Sequence, residues 1–161
     1  RTSPNIPYQT SPAYYVATGI MGGAAAVDIG IGTDNPFGYA GGLGVNANAM
    51  LAYCQRLNTP GVSYSAYSRK GFGGVKLNIN PRATADFTAL DVFMLAELNR
   101  QTRGKVMSFS GSKLNLFHKV YGSESLYRDL RRGVSPSSIV AGWQRHNDAF
   151  RSRRQRYLLY P

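Results

Sequence analysis

Apolar residues recur at two different spacings along this chain, and that mixture is the feature that most limits its fold. Helical spacing predicts helices over 46–57, 84–100 and 135–150, of which the first is capped by Asn46 or Asn48 and the last by Ser135. Alternation of side-chain character predicts strands over 62–68 and 75–79. The two kinds of element do not follow one another as regular βαβ units. The sequence therefore predicts an α+β fold, a single compact domain with a mixed or barrel-like sheet and three to four helices.

The weaker patterns fill in the remaining segments. Three prolines among the first twelve residues predict that residues 1–12 form an extended lead-in. The remaining predicted segments are strands over 13–21, 37–45 and 105–109 and a short helix over 124–132 that Ser123 caps.

Metal, cofactor and membrane functions receive no support from the residue pattern. Cys54 is the single cysteine and lies on the apolar stripe of its predicted helix, so we expect it to pack in the core. His118 and His146 do not form a ligand-spaced cluster, and we predict no metal and no cofactor. Glycines interrupt every apolar stretch before it reaches the roughly 20 residues of a membrane helix, so no transmembrane segment is predicted.

Positive charge is concentrated in the last third of the chain. The formal net charge is +11, of which residues 101–161 supply +9. This asymmetry predicts an anionic partner. We rank a protein interface or an anionic polymer first, and nucleic acid is an unlikely partner because few aromatic platforms accompany the basic residues. The arginines expected to contact that partner are Arg128, Arg131, Arg132, Arg145, Arg151, Arg153, Arg154 and Arg156.

A series of short motifs covers nearly the whole chain and carries a family resemblance. In chain order they are Ser3-Pro4-Asn5-Ile6-Pro7, Gly32-Thr33, Pro36-Phe37, Asn58-Thr59-Pro60-Gly61, Gly73-Gly74-Val75, Phe117–Ser123, Gly133-Val134-Ser135 and Tyr157-Leu158-Leu159-Tyr160-Pro161. Together they resemble the C-terminal domain of the bacterial exo-β-N-acetylmuramidases.

The resemblance implies a partner and a place in the cell. Such proteins have a Rossmann-like N-terminal domain that carries the catalytic machinery, and a smaller C-terminal domain that forms one wall of the substrate cleft. The substrate is a peptidoglycan fragment with a terminal N-acetylmuramic acid. By this inference residues 1–12 would lead in from a missing N-terminal domain. Other protein subunits are alternative partners, and the bacterial cell envelope, periplasmic or secreted, is the expected location.

The glycine-rich loop departs from the pattern of the family it resembles. Gly23 and Ile29 stand where the family has two acids, and Ile31 stands where it has an arginine. Thr33 is retained, and Asp28 lies one position from the second acid. Residues in this loop and in the shortened 68–72 connection are the ones we expect to touch sugar. These candidate substrate-binding residues are Asp28, Thr33, Asp34, Asn35, Arg69 and Lys70.

Too few free carboxylates remain for glycoside hydrolysis, which needs two positioned carboxyl groups. The acids outside the loop are expected to cap helices, lie on the surface or form ion pairs; Asp129, for example, is spaced to pair with Arg132. We therefore predict no catalytic residue and no activity for the isolated chain. The leading hypothesis is a non-catalytic or degenerate cleft-forming domain. The alternative is a repurposed basic scaffold subunit of a larger cell-envelope assembly, without enzymatic activity.

Overall fold

A computed structural model describes residues 3–160, and these form an open antiparallel sheet surrounded by helices. In chain order the elements are α1 (Ser11–Thr18), β1 (Val27–Asp28), β2 (Tyr39–Leu43), α2 (Ala47–Leu57), β3 (Val62–Arg69), β4 (Phe72–Ile79), α3 (Phe87–Gln101), α4 (Gly111–Tyr121), α5 (Ser125–Arg131) and α6 (Pro136–Arg154), with single 3₁₀ turns at Met21–Gly23 and Gln155–Tyr157.

The sheet has the strand order β1-β2-β4-β3, and every neighbouring pair is antiparallel. The predicted mixed or barrel-like sheet is therefore wrong. A two-residue β1 at one edge has too few backbone groups to pair with β3 at the other edge and close a barrel. The prediction of three to four helices is also wrong, because residues 3–160 contain six α-helices. The α+β class itself is confirmed.

The core lies between one face of the sheet and α3. Val75 and Leu77 point from β4 into this core and are almost fully buried. Helix α3 is covered on several sides, and Cys54 of α2 lies in the same cluster. Burial raises the pKa of the Cys54 thiol to about 12, and the nearby Glu97 carboxylate raises it further. The prediction of a packing role for Cys54 is confirmed by its complete burial.

Two predicted helix caps are confirmed, and a third is wrong: the residue that precedes α5 is Glu124 rather than Ser123, and α5 runs over Ser125–Arg131. Asn46 caps α2 by accepting a hydrogen bond from the Ala49 amide at 2.9 Å, and Ser135 caps α6 through the Ser138 amide at 3.2 Å. Asp86 caps α3 in the same way, so that helix begins at Phe87 rather than at residue 84. The strands predicted over 62–68, 75–79 and 37–45 correspond to β3, β4 and β2.

Three predicted segments differ from the structure. The strand predicted over 13–21 is largely helix α1, whose first turn holds a proline that fixes a helical φ. The predicted extended lead-in is wrong for residues 3–12, which form turns before α1 begins at Ser11; residues 1 and 2 lie outside the described part. No strand forms over 105–109, where Val106 and Met107 instead enter the core from a loop.

The C-terminal part of α6 leaves the domain. Ile139 is buried and Trp143 is half-buried, but every residue over 144–160 is exposed. We call residues 144–160 the C-terminal arm. At its end, Tyr157 and Tyr160 are 74 % and 81 % exposed. Across residues 3–160, no helix combines the length and apolarity required to cross a bilayer.

Candidate functional site

A short loop between β1 and β2 is held in place by its own polar groups. Asp28 accepts a hydrogen bond from the Gly30 amide at 2.9 Å through Oδ1. The Thr33 hydroxyl donates to the Gly30 carbonyl at 2.7 Å and accepts from the Asn35 amide at 3.1 Å. These bonds close the loop on itself, as expected for turns built around Asp, Thr and Asn. Asp34, Asn35 and Pro36 accordingly lie in bends and turns, as the sequence predicted.

Close packing fixes the position of this loop against the rest of the domain. A side chain at Gly38 would collide with the Asn35 amide group, and one at Gly30 would meet the Tyr39 ring at 2.5 Å. The Thr18 hydroxyl of α1 donates to the Phe37 carbonyl at 2.8 Å in a buried position. The loop is therefore part of the rigid body of the domain.

Strand pairing brings charged and aromatic side chains together next to the loop. In the ladders, Tyr39 is opposite Lys76, and Gly41 is opposite Gly74, which is in turn opposite Tyr67. Side chains two residues apart on a strand share a face, so Tyr39, Tyr67 and Lys76 lie on the face opposite the core. Arg69 lies on this outer face as well.

These outer-face residues and Asp28 form a contiguous set, which we call the loop–sheet cluster (Asp28, Tyr39, Tyr67, Arg69 and Lys76). Arg69 donates to Asp28 Oδ2 at 2.6 Å. The Arg69 guanidinium lies 5.6 Å and Lys76 Nζ 5.8 Å from the centroid of the Tyr39 ring. Tyr39 and Tyr67 meet edge to face with their ring centroids 4.9 Å apart. The cluster thus presents two cations and an aromatic ring beside the loop.

Tyr67 has an unusual position within the cluster. Its hydroxyl lies directly over Gly41, where a Cβ would collide with it. Burial raises the pKa of this hydroxyl and the nearby Asp28 carboxylate raises it further, yet the hydroxyl has no hydrogen-bond partner of good geometry within residues 3–160. A buried hydroxyl without a hydrogen-bond partner lowers the free energy of unfolding by about 1–3 kcal/mol, and we expect the Tyr67 hydroxyl to have this destabilising effect.

Four of the six candidate substrate-binding residues meet in one place. Asp28, Thr33 and Asn35 organise the loop, and Arg69 reaches it from β3. The other two, Asp34 and Lys70, are exposed. Lys70 and Gly71 form the tight turn between β3 and β4, with φ of 49° and 81°. A substrate-contacting role for these residues stays a prediction.

Sequence reasoning missed Tyr39, Tyr67 and Lys76. Each lies on a strand that the sequence did predict, with the parity that places it on the outer face. The missing information was the pairing of β2 with β4. That pairing joins residues that are 29 to 37 positions apart in the chain, and no local pattern indicates it.

The carboxylates of this chain are almost all engaged. Both oxygens of Asp28 have partners, and Asp91 accepts from the Ile20 and Met21 amides at 2.8 and 3.2 Å. Burial opposes ionisation of Glu97, but bonds from Arg100 and Gln101 outweigh it and lower the pKa of that carboxyl. Within residues 3–160, Asp34 is the acid whose carboxylate lacks any hydrogen-bond or ion-pair partner. Asp86 accepts from a helix amide, and Asp129 and Asp148 each pair with an arginine. The Glu124 carboxylate is 84 % exposed and lies 4.0 Å from His118 Nδ1, beyond hydrogen-bond distance.

The arginines expected to face an anionic partner fall into two groups. On α5, Arg128 pairs with Asp129 at 3.2 Å, so the predicted Asp129–Arg132 pair is replaced by a contact between neighbours. Arg131 donates to the Met107 carbonyl at 3.4 Å and Arg132 is exposed. The other five all lie in the C-terminal arm: Arg145, Arg151, Arg153, Arg154 and Arg156. The part of the chain over 3–160 holds no cluster of three or more metal-ligating side chains.

The fold and the cluster together define a small α+β domain whose polar surface joins a loop to the outer face of an open sheet. The chain belongs to the family described as exo-beta-N-acetylmuramidase NamZ, C-terminal, which it matches over residues 13–160. The family resemblance seen in the sequence is therefore confirmed. No curated protein matches the chain.

A solved structure has the same fold. It is a DUF1343 family protein from Bacteroides fragilis NCTC 9343, with a TM-score of 0.84 and 23 % sequence identity. The match covers 99 % of this chain and 44 % of that one, so this chain spans less than half the length of the solved protein.

Proposed function

We propose that this domain frames the cleft in which a peptidoglycan fragment with a terminal N-acetylmuramic acid binds, beside a Rossmann-like catalytic domain in the bacterial cell envelope. It supplies contacts to the sugar and no catalytic acid. The observation that carries this proposal is the use of Asp28. Both oxygens of this carboxylate have partners, Gly30 and Arg69, so it holds the surface of the loop in place.

The chemistry of the loop–sheet cluster suits such a ligand. Muramic acid carries a carboxylate on its lactyl group, and basic side chains recognise carboxylates through charge-assisted hydrogen bonds. Arg69 is already paired with Asp28, whereas Lys76 is exposed and makes no ion pair with an acid within residues 3–160. Lys76 is therefore the cation available to the ligand. The Tyr39 ring beside it offers a flat surface on which a sugar ring can pack.

The absence of catalysis follows from the arrangement of acids. Glycosidases generally place two carboxyl groups on opposite sides of the scissile bond. Within residues 3–160 the carboxylates without a hydrogen-bond partner are those of Asp34, in the loop between β1 and β2, and Glu124, directly before α5. Because they belong to two separate elements, we expect neither to face a second carboxyl group across a bound sugar. We expect the pure chain to release no product from a chromogenic N-acetylmuramic acid glycoside. Turnover that is abolished in Asp28→Asn or Asp34→Asn would contradict the proposal.

Sugar binding is tested by calorimetry with two ligands, the methyl β-glycosides of N-acetylmuramic acid and N-acetylglucosamine. The chain should prefer the first, because only that sugar carries the carboxylate. Lys76→Met should weaken its binding by about tenfold, the loss of roughly one charge-assisted hydrogen bond, and leave the second ligand unaffected. Lys105→Met, an equal loss of charge at an exposed position outside the cluster, is the control. No binding of either sugar would remove the proposed function.

The alternative function, a basic scaffold subunit without enzymatic activity, is favoured by a different observation. The C-terminal arm exposes apolar and cationic side chains together, which is typical of an assembly interface. A chain that binds neither sugar but forms a stable complex through the arm would support this alternative.

A further inference from the structure

The C-terminal arm exposes several large apolar side chains within one short segment. Phe150 is 53 % exposed, Leu159 is 89 % exposed, and Leu158 and both tyrosines are uncovered as well. Contiguous exposed apolar groups rimmed by polar residues mark interaction sites on soluble proteins. The domain body also exposes apolar side chains, such as Leu43 and the α4 residues Leu116 and Val120, but in the arm five of them lie within residues 150–160. Three of these five, Leu158, Leu159 and Tyr160, line one hollow, and this concentration indicates a surface for a partner.

The charge of the arm specifies the chemistry of that partner. Residues 144–160 hold five arginines and one aspartate, a net charge of +4, and no lysine. Asp148 is already paired with Arg151 at 2.9 Å, and the guanidinium groups of Arg145, Arg153 and Arg154 make no ion pair within residues 3–160. Guanidinium groups pair with carboxylates in a two-pronged geometry that ammonium groups cannot match. An acidic protein surface therefore fits the arm.

The arm also has the shape of a docking element. Residues that follow α6 share a hollow of about 720 Å³ with the last turn of that helix. Apolar side chains line the hollow and two arginines lie at its border; the lining residues are Arg151, Arg154, Gln155, Leu158, Leu159 and Tyr160. A partner side chain that enters this hollow would be flanked by cations, so apolar insertion and carboxylate pairing occur in one contact.

We infer that the C-terminal arm docks onto an acidic surface of the N-terminal companion domain of this family. The family is defined as a C-terminal part, and the solved relative has more than half of its chain outside the match. A companion of that size is large enough to cover the arm. This inference rests on the proposed function for the pairing with a second domain, and it does not depend on sugar binding.

The test is a fusion in which the part of the Bacteroides fragilis protein outside the match precedes this chain. Tethering gives an effective concentration in the millimolar range, so a weak contact between domains of two species is still detected. The readout is the rate at which trypsin cuts after Arg154 and Arg156. We expect cleavage at least tenfold slower in the fusion than in the free chain, and faster again when salt is raised, because screening weakens charge pairing.

Two sets of variants in the fusion locate the contact. Phe150→Ser with Leu158→Ser and Leu159→Ser removes apolar groups of the arm, keeps every trypsin site and should restore fast cleavage. Leu116→Ser with Val120→Ser, at exposed apolar positions of α4, is the matched control and should leave the arm protected. Circular dichroism verifies that each variant is folded.

Each remaining outcome opposes the inference. Cleavage as fast in the fusion as in the free chain overturns it, and so does equal loss of protection in both sets of variants. Arm-dependent binding of the free chain to phosphatidylglycerol vesicles, without protection in the fusion, would assign the arm to a membrane surface instead. Sugar binding by the free chain is measured separately: the arm variant should bind N-acetylmuramic acid as the wild type does, so the docking and sugar-binding proposals fail independently.

Discussion

The loop–sheet cluster and the C-terminal arm differ in how far their side chains contact the rest of the domain. In the cluster, contacts within the domain fix Asp28, Arg69 and the two tyrosine rings, and Lys76 is the cation without an acidic partner among residues 3–160. In the arm the side chains are exposed, and one aspartate lies among five arginines. The first surface is therefore ordered by its own domain and leaves one cation for a ligand, whereas the second acquires its contacts only from another molecule.

Gly74, in the sheet beneath the cluster, and Gly142, beside the arm, should respond differently to an added methyl group. A Cβ at Gly74 would collide with the Ala40 carbonyl oxygen and with Gly41 Cα, and the β2 backbone cannot move away without breaking the ladder. We expect Gly74→Ala to lower the free energy of unfolding by about 3 kcal/mol. Gly142→Ala, in α6 near the root of the arm, meets no atom within 4 Å and should raise it by about 0.5–1 kcal/mol. Urea denaturation measures both; equal effects would refute the contrast.

A smaller effect is expected at the buried carboxylate of α3. Asp91 binds the Ile20 and Met21 amides at the 3₁₀ turn that precedes the loop, and Asp91→Ala would leave both donors without a partner. The expected loss is about 1–3 kcal/mol of unfolding free energy. Faster hydrogen exchange at these two amides would locate the change. Unaltered exchange there would show that the carboxylate does not hold the turn.

The same residue predicts a pH dependence of stability. Burial raises the pKa of Asp91 well above its usual value, although the hydrogen bonds from the Ile20 and Met21 backbone amides oppose the shift. Between the unfolded pKa of about 3.9 and the raised folded pKa, only the folded chain keeps the proton. Stability contributed by this group is therefore lost as pH rises through that window. The difference in unfolding free energy between wild type and Asp91→Asn should fall with pH there, and a flat difference would contradict the shift.

The smallest expected effect lies in the arm. Phe150→Ser with Leu158→Ser and Leu159→Ser should change the unfolding free energy of the free chain by no more than about 0.5 kcal/mol, because these side chains contact little of the domain. Thermal unfolding followed by circular dichroism checks this. A loss of several kcal/mol would show that the arm belongs to the core and would remove the contrast between the two regions.

The features predicted correctly from the sequence are those set by interactions between residues close together in the chain. Asn46 and Ser135 marked helix starts, since a cap acts within three residues of itself. Helix α1 was mistaken for a strand because Tyr14, Tyr15 and Val16 favour strands. Its packing against α3 overrides that preference.

Only the part of the site formed by residues close together in the chain could be predicted from the sequence. Thr33 and Asn35 were identified from the loop itself, and their bonds stay within it. The link between Asp28 and Arg69 spans 41 positions and depends on strand pairing. Equally, the exposure of the arm could not be foreseen, because Phe150 continues the spacing of Ile139 and Trp143 after the domain that covers them has ended.

Because Cys54 is buried, the reactivity of its thiol reports how often the domain opens transiently. It is the sole thiol of the sequence, and its pKa of about 12 leaves almost no thiolate at neutral pH in the closed state. An alkylating reagent therefore modifies only molecules whose α2 has separated from the sheet. The rate of alkylation, followed by mass spectrometry, gives the frequency of that event without any engineered label.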